Sequence, residues 1–189
     1  MKQRNWPYPR HPKSPDDPIR GDKPFFERHI YLFRDQLRFD ISSQIGIMSR
    51  TRRVDGKEDN SLSDVFENYS GMIDRWIDKY LKLAKARMGA YVLDRFHTAS
   101  NDTLKSENEI DIELEVPEYW DDTVFEPLSQ AVHDYIVNGT MYELISLTLP
   151  PRDNVINQKR IDVEESYHDI KRYICASKPG RVKKPLQPF

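Results

Sequence analysis

The sequence predicts a mainly α fold: an elongated helical bundle of about four helices with one short β element and extended tails at both ends. Three observations carry that expectation. Apolar residues recur at steps of three and four over long windows, the period of a helix face. All 13 prolines lie outside residues 25–116, and six fall within the first 24. One stretch, Ile110–Val116, changes from the helical period to strict alternation. The implied organisation is a Pro-rich arm over 1–24, a helical domain over 25–176 and a basic tail over 177–189.

Each element follows in chain order. Proline fixes φ and withholds a donor, so the arm cannot be a helix interior or a central strand; Trp6 and Tyr8 are its apolar anchors. Phe26, Ile30, Phe33, Leu37, Ile41, Ile45 and Met48 form one stripe, which predicts a helix over 25–50. Arg52, Arg53, Asp55, Gly56 and Lys57 read as a polar turn. A second helix is expected over 62–97, opened by Ser61 with Asp64 as a capping box. It would be roughly 54 Å long at 1.5 Å per residue, with Gly71 and Gly89 as its weak points. The β element over 110–116 has an apolar face of Ile110, Ile112, Leu114 and Val116 and an acidic face of Asp111, Glu113 and Glu115. Pro117 stops it. Asp121, Asp122 or Thr123 caps a third helix over 123–149, with Pro127 in its first turn and Pro150-Pro151 at its end. Asn138-Gly139 is a candidate kink or break within it. A fourth helix is expected over 155–176. The tail KPGRVKKPLQPF then carries four bases, three prolines and a terminal Phe189.

Composition narrows the function classes. The 189 residues are 38% hydrophobic and 32% charged, with mean hydropathy −0.77, so the whole length is not spent on one core. Aromatic residues reach 11%, more than a disordered chain carries. No apolar run approaches the ~20 residues that span a bilayer, so no membrane role is expected. The lone Cys175 cannot form an internal disulfide, and its place after Tyr173-Ile174 reads as a packed thiol. With seven glycines, no phosphate-binding Gly-rich loop can be assembled. The five histidines are scattered and give no zinc spacing. Glu165 and His168 have the Glu-x-x-His spacing of di-iron bundles, but such sites need a second motif and two further carboxylates. An exposed acidic helix face with Asp162 and Asp169 explains them. The carboxylates of Asp111, Glu113 and Glu115 suit a divalent cation or, preferably, a basic neighbour. No catalytic residue, cofactor or resident metal is expected, and a sequence pI near 6.2 is far from that of a dedicated nucleic-acid binder.

Charge is distributed unevenly. From Ser106 to Pro151 there are eleven acids and no Lys or Arg, so the rest of the chain carries 29 bases against 20 acids. An acidic centre with basic flanks suits head-to-tail contact between copies. The expected interface residues are therefore Trp6 and Tyr8 in the arm, Asp111, Glu113 and Glu115 on the strand, and Lys183, Lys184 and Phe189 in the tail.

The run VPEYWDDTVFEPLSQAVHDYIVNGTMYELISLTLP, followed by EESYHDIKRYI and the basic CASKPGRVKKP, resembles neck proteins of tailed phages that infect Bacteroidales. In particular it is similar to the head–tail connector rings below the portal in crAss-like phages, over about residues 110–185. The resemblance implies a structural, non-enzymatic virion subunit at the head–tail interface, assembled in the host cytoplasm. Its implied partners are further copies in a ring of about 12, the portal protein, adjacent neck and tail rings, and non-specific contact with DNA in the channel. A cellular helical scaffold module is the alternative reading, and a small helical metal-dependent enzyme a weaker one.

Overall fold

The computed structural model describes residues 25–54, 57–58, 64, 66–67, 70–93, 108–151 and 153–177. The arm with Trp6 and Tyr8, the Ser61 cap, the 94–97 end expected for the second helix, and the tail residues Lys183, Lys184 and Phe189 lie outside the described residues. The fold is mainly α. Its helices are α1 (Arg34–Thr51), α2 (Ser70–Met88), α3 (Phe125–Thr148) and α4 (Asn154–Ile174). The strands are β1 (Phe25–Phe33), β2 (Arg53–Val54), β3 (Lys57–Glu58) and β4 (Glu109–Pro117), joined as two antiparallel ribbons, β1–β4 and β2–β3.

The helix expected over 25–50 is the main correction. Its first nine residues, FFERHIYLF, form β1, and the helix begins only at Arg34. A helical stripe would bury Phe26, Ile30 and Phe33; instead Ile30 and Leu32 are buried, while Phe26 and Phe33 are 40% and 48% exposed. Aromatic and β-branched residues suit a pleated surface. A half-buried strand at Ile110–Val116 also cannot stand alone and needs a partner to satisfy its backbone. The ladder runs from Phe25 opposite Pro117 to Phe33 opposite Glu109, with Ile30 opposite Ile112. The single expected β element is therefore one half of a ribbon.

α3 is the centre of the core. Residues on most of its circumference, including Leu128, Val132, Ile136, Met141 and Ile145, are buried, as expected for a helix surrounded by others. Asp121 supplies the cap that leads into it: its carboxylate accepts from the Thr123 N–H at 3.1 Å and the Thr123 hydroxyl at 2.8 Å. The expected break at Asn138-Gly139 does not occur, and α3 runs unbroken for 24 residues. Gly139 is there for close approach: a Cβ at this position would fall on the Tyr80 ring of α2. From that contact an aromatic series crosses the bundle, Tyr80 edge-on to Tyr135 at 5.3 Å and Tyr135 to Tyr167 of α4 at 5.6 Å. The Arg87 guanidinium lies over Tyr167, 3.9 Å from its centroid.

Gly89 also has a conformational role. It follows Met88 with φ +59, the left-handed geometry that ends a helix at lowest cost in glycine. α2 therefore stops there, short of the expected His97. It lies antiparallel to α1 through a ladder of charges, Arg34 to Asp78 and Arg38 to Asp74, the latter with both carboxylate oxygens engaged. One helical turn separates the two rungs on each helix.

α4 begins at Asp153, whose carboxylate accepts from the Val155 N–H at 3.0 Å and binds Arg52 Nη1 at 2.6 Å. These contacts hold the Asp153 carboxyl below its ordinary value, the backbone bond first and Arg52 second. A polar cluster ties α4 to its neighbours: Lys159 Nζ donates to Asn138 Oδ1 of α3 at 3.1 Å and to Gln44 Oε1 of α1 at 3.2 Å. At the far end Trp120 is buried, its indole N–H donating to the Tyr173 carbonyl at 3.1 Å. Trp120 also forms an antiparallel bridge with Ser177. Cys175 is exposed, not packed as expected, because it lies beyond Ile170 and Ile174, the last inward positions of α4.

Candidate functional site

The alternation of both strands turns Phe25, Glu27, His29, Tyr31 and Phe33 of β1, with Glu109, Asp111, Glu113 and Glu115 of β4, to the outer face of the ribbon; Pro117, the tenth position of that register, is itself buried. The inner face is closed by Ile30, Leu32, Ile112 and Leu114, which root the ribbon in the core. The outer face thus carries five carboxylates and one imidazole, with no Lys or Arg among its ten strand positions. Beside that acidic row stand exposed aromatics: Phe25, Tyr31 and Phe33 are 40%, 52% and 48% exposed.

The expected interface residues Asp111, Glu113 and Glu115 share this face. Asp111 is exposed, whereas Glu113 and Glu115 are half-buried. What the sequence reading missed is His29. Assigned to a helix, it had no relation to the acidic strand; in β1 it stands directly opposite Glu113. Its Nδ1 lies 3.0 and 3.1 Å from the two oxygens of Asp111. Tyr31 stacks beside the imidazole, with centroids 5.8 Å apart and planes 9° from parallel. The available signal was the aromatic and β-branched content of FFERHIYLF together with the need of β4 for a partner.

The two edges of the ribbon differ. The segment after α2 covers the β4 edge: Val92 bridges to Leu114, and the Leu93 N–H donates to the Glu113 carbonyl at 2.9 Å. Among the described residues, β1 has no strand neighbour other than β4. At the Phe25 end, Arg28 reaches across to Asp122 at 2.9 Å. α1 adds further exposed apolar surface: Phe39 and Ile47, eight residues apart on one face, are 65% and 64% exposed.

The other histidine–carboxylate cluster has a different geometry. His133 of α3 places Nε2 3.0 Å from Asp40 of α1 and Nδ1 3.4 Å from Asp134. The hydrogen bond to Asp134 and the two carboxylate charges raise the His133 pKa against the opposing effect of burial. For Asp134 burial acts upward, but the bonds from His133 and Gln130 prevail and hold its pKa low. This is an interhelical clamp. Glu165 and His168 are both exposed on α4, and among the described residues no further carboxylates converge on them. Arg52, read from the sequence as part of a polar turn, is held within the chain by Asp153. Among the described residues no helix is long and apolar enough to cross a membrane. No protein-family model, curated protein or solved structure matches the chain.

Proposed function

We propose that the chain is a structural subunit of a multi-copy assembly, the connector ring that joins head to tail in a tailed bacteriophage. The observation that carries this reading is the outer face of the β1–β4 ribbon, where an acidic row lies beside three exposed aromatics. Exposed apolar surface rimmed by charge marks a protein contact, and the charges set registry more than affinity. The chain beyond Ser177 supplies the complementary chemistry, four bases and a terminal Phe189, and Ser177 is anchored against Trp120. In this reading the tail of one copy meets the ribbon of the next, a heterologous contact that closes into a ring. The resemblance over residues 110–185 supplies the class of assembly and its partners, the portal and neighbouring rings.

Native mass spectrometry of the full chain tests this. A closed ring of about 12 copies is expected. The variant combining Asp111→Lys, Glu113→Lys and Glu115→Lys should lose the ring while keeping its far-UV circular dichroism and cooperative melting. Removal of residues 178–189 should act alike. Normal assembly of both variants would sink the proposal, and a monomer that takes up one unrelated partner would favour the scaffold module.

A further inference from the structure

We propose that the outer face of the ribbon is a binding site for one divalent transition-metal ion of the zinc class, held by His29, Asp111 and Glu113. The proposal stands on the ribbon geometry alone and does not depend on the connector reading. Each of the three residues offers one ligand atom, and these atoms all lie within 4.8 Å of one another. Tetrahedral zinc with bonds of about 2.0–2.1 Å places its ligand atoms about 3.3–3.5 Å apart. The His29–Asp111 pair, at 3.0–3.1 Å, is already near that spacing. Glu113 needs to bring its carboxylate inward by at most about 1.5 Å, within reach of a side-chain rotation.

Three features separate this cluster from an ordinary surface ion pair. Its donors come from both strands in a register set by the backbone ladder, His29 opposite Glu113 and Asp111 two residues along the same face. The Tyr31 ring lies nearly parallel beside the imidazole, covering one side of it. The remaining charges in the ten positions of this face are carboxylates, which gives it a potential that favours a cation. The contrast with His133 is direct. There the two carboxylates sit at opposite ring nitrogens, so no single ion can touch all three groups. The imidazole at His29 selects the metal class, because nitrogen ligation suits zinc, cobalt, nickel or copper and not magnesium or calcium. Three protein ligands on an outward face leave the fourth position to water or to a side chain of another molecule.

The test is calorimetric titration of zinc chloride into the metal-free full chain, repeated with cobalt(II) while recording visible absorption. One ion per chain is expected, with the intense absorption of four-coordinate cobalt and no competition from millimolar magnesium. His29→Asn and Glu113→Gln should each weaken zinc binding at least tenfold, and the exposed His168→Asn should leave it unchanged. No saturable binding, competition by magnesium, or affinity indifferent to both ribbon variants would overturn the proposal. Should a variant fail to fold, zinc-induced NMR shifts of the unaltered chain decide. Shifts confined to residues 27–31 and 109–115 support the site, and shifts centred elsewhere refute it.

Discussion

Replacing Gly139 by alanine is the sharpest probe of how this bundle is packed. An ideal Cβ at position 139 would lie 2.5 Å or less from Cγ, Cδ1 and Cε1 of Tyr80. Carbon–carbon contact is comfortable near 3.5 Å, so the ring must recede by about 1 Å or more. It has little freedom to do so. Tyr80 is 5% exposed, edge-on to Tyr135, and its hydroxyl donates to Glu143 Oε1 at 3.1 Å. Overpacking of this kind costs about 1–3 kcal/mol, while alanine for glycine inside a helix returns about 1 kcal/mol. With contacts this short the upper part of the overpacking range applies, about 2–3 kcal/mol, so a net loss of about 1–2 kcal/mol is expected, or about 2–8 °C in melting temperature for a chain of this size. The matched control is Gly46→Ala in α1, where nothing beyond the helix's own local backbone and adjacent residues lies within 4 Å of the added Cβ. That variant should gain up to about 1 kcal/mol. Thermal melts followed by circular dichroism distinguish the two. In a Tyr80→Ala background the cost of Gly139→Ala should disappear, a coupling that a double-mutant cycle measures directly. If Gly139→Ala melts at or above the unaltered protein, the close approach of α2 to α3 is not as described.

Two further predictions concern charge. Asp78→Ala should destabilise by about 2–3 kcal/mol by removing a largely buried carboxylate from the Arg34 guanidinium, and Asp74→Ala by less. The difference arises because the Arg34 and Asp78 side chains are 11% and 16% exposed whereas Arg38 is 41% exposed and better screened; equal losses in chemical denaturation would contradict it. The His133 clamp makes stability depend on pH with a defined sign. A raised imidazole pKa contributes fully below the ordinary value of 6.5 and is lost as pH rises through the raised one. The depressed Asp134 contributes fully above 3.8 and is lost as pH falls through its lowered value. Melting should therefore be highest between those two ordinary values and decline as pH rises through the raised His133 value, and His133→Gln should flatten the decline. A His133→Gln protein with an unchanged pH profile would assign the effect to other groups.

The sequence by itself determined the features that are local in physical origin. Amphipathic periodicity located α3 and α4 to within two residues and the body of α2, though not its end at Met88, because a helix satisfies its backbone internally and needs only one apolar stripe. Asp121, Pro127 and Pro150-Pro151 marked the limits of α3 for the same reason, since capping and proline chemistry act within one turn. The acidic face of β4 was legible from alternation alone.

Tertiary structure decided everything that depends on a partner distant in sequence. The apolar spacing of Phe26, Ile30, Phe33 and Leu37 is compatible with a helix stripe, and only pairing with β4 made residues 25–33 a strand. Gly139, which reads locally as a helix breaker, is retained inside a continuous helix because the ring of Tyr80, 59 positions earlier, occupies the space of its side chain. The candidate metal ligands show the same division. Asp111 and Glu113 were visible as neighbours on one strand face, but His29 lies more than 80 residues away. Its place opposite Glu113 comes from the ladder register, which is fixed by burial of Ile30 and Leu32 against Ile112 and Ile110. Because side chains alternate with period two, a slip of one residue would turn His29 into the core and dissolve the site.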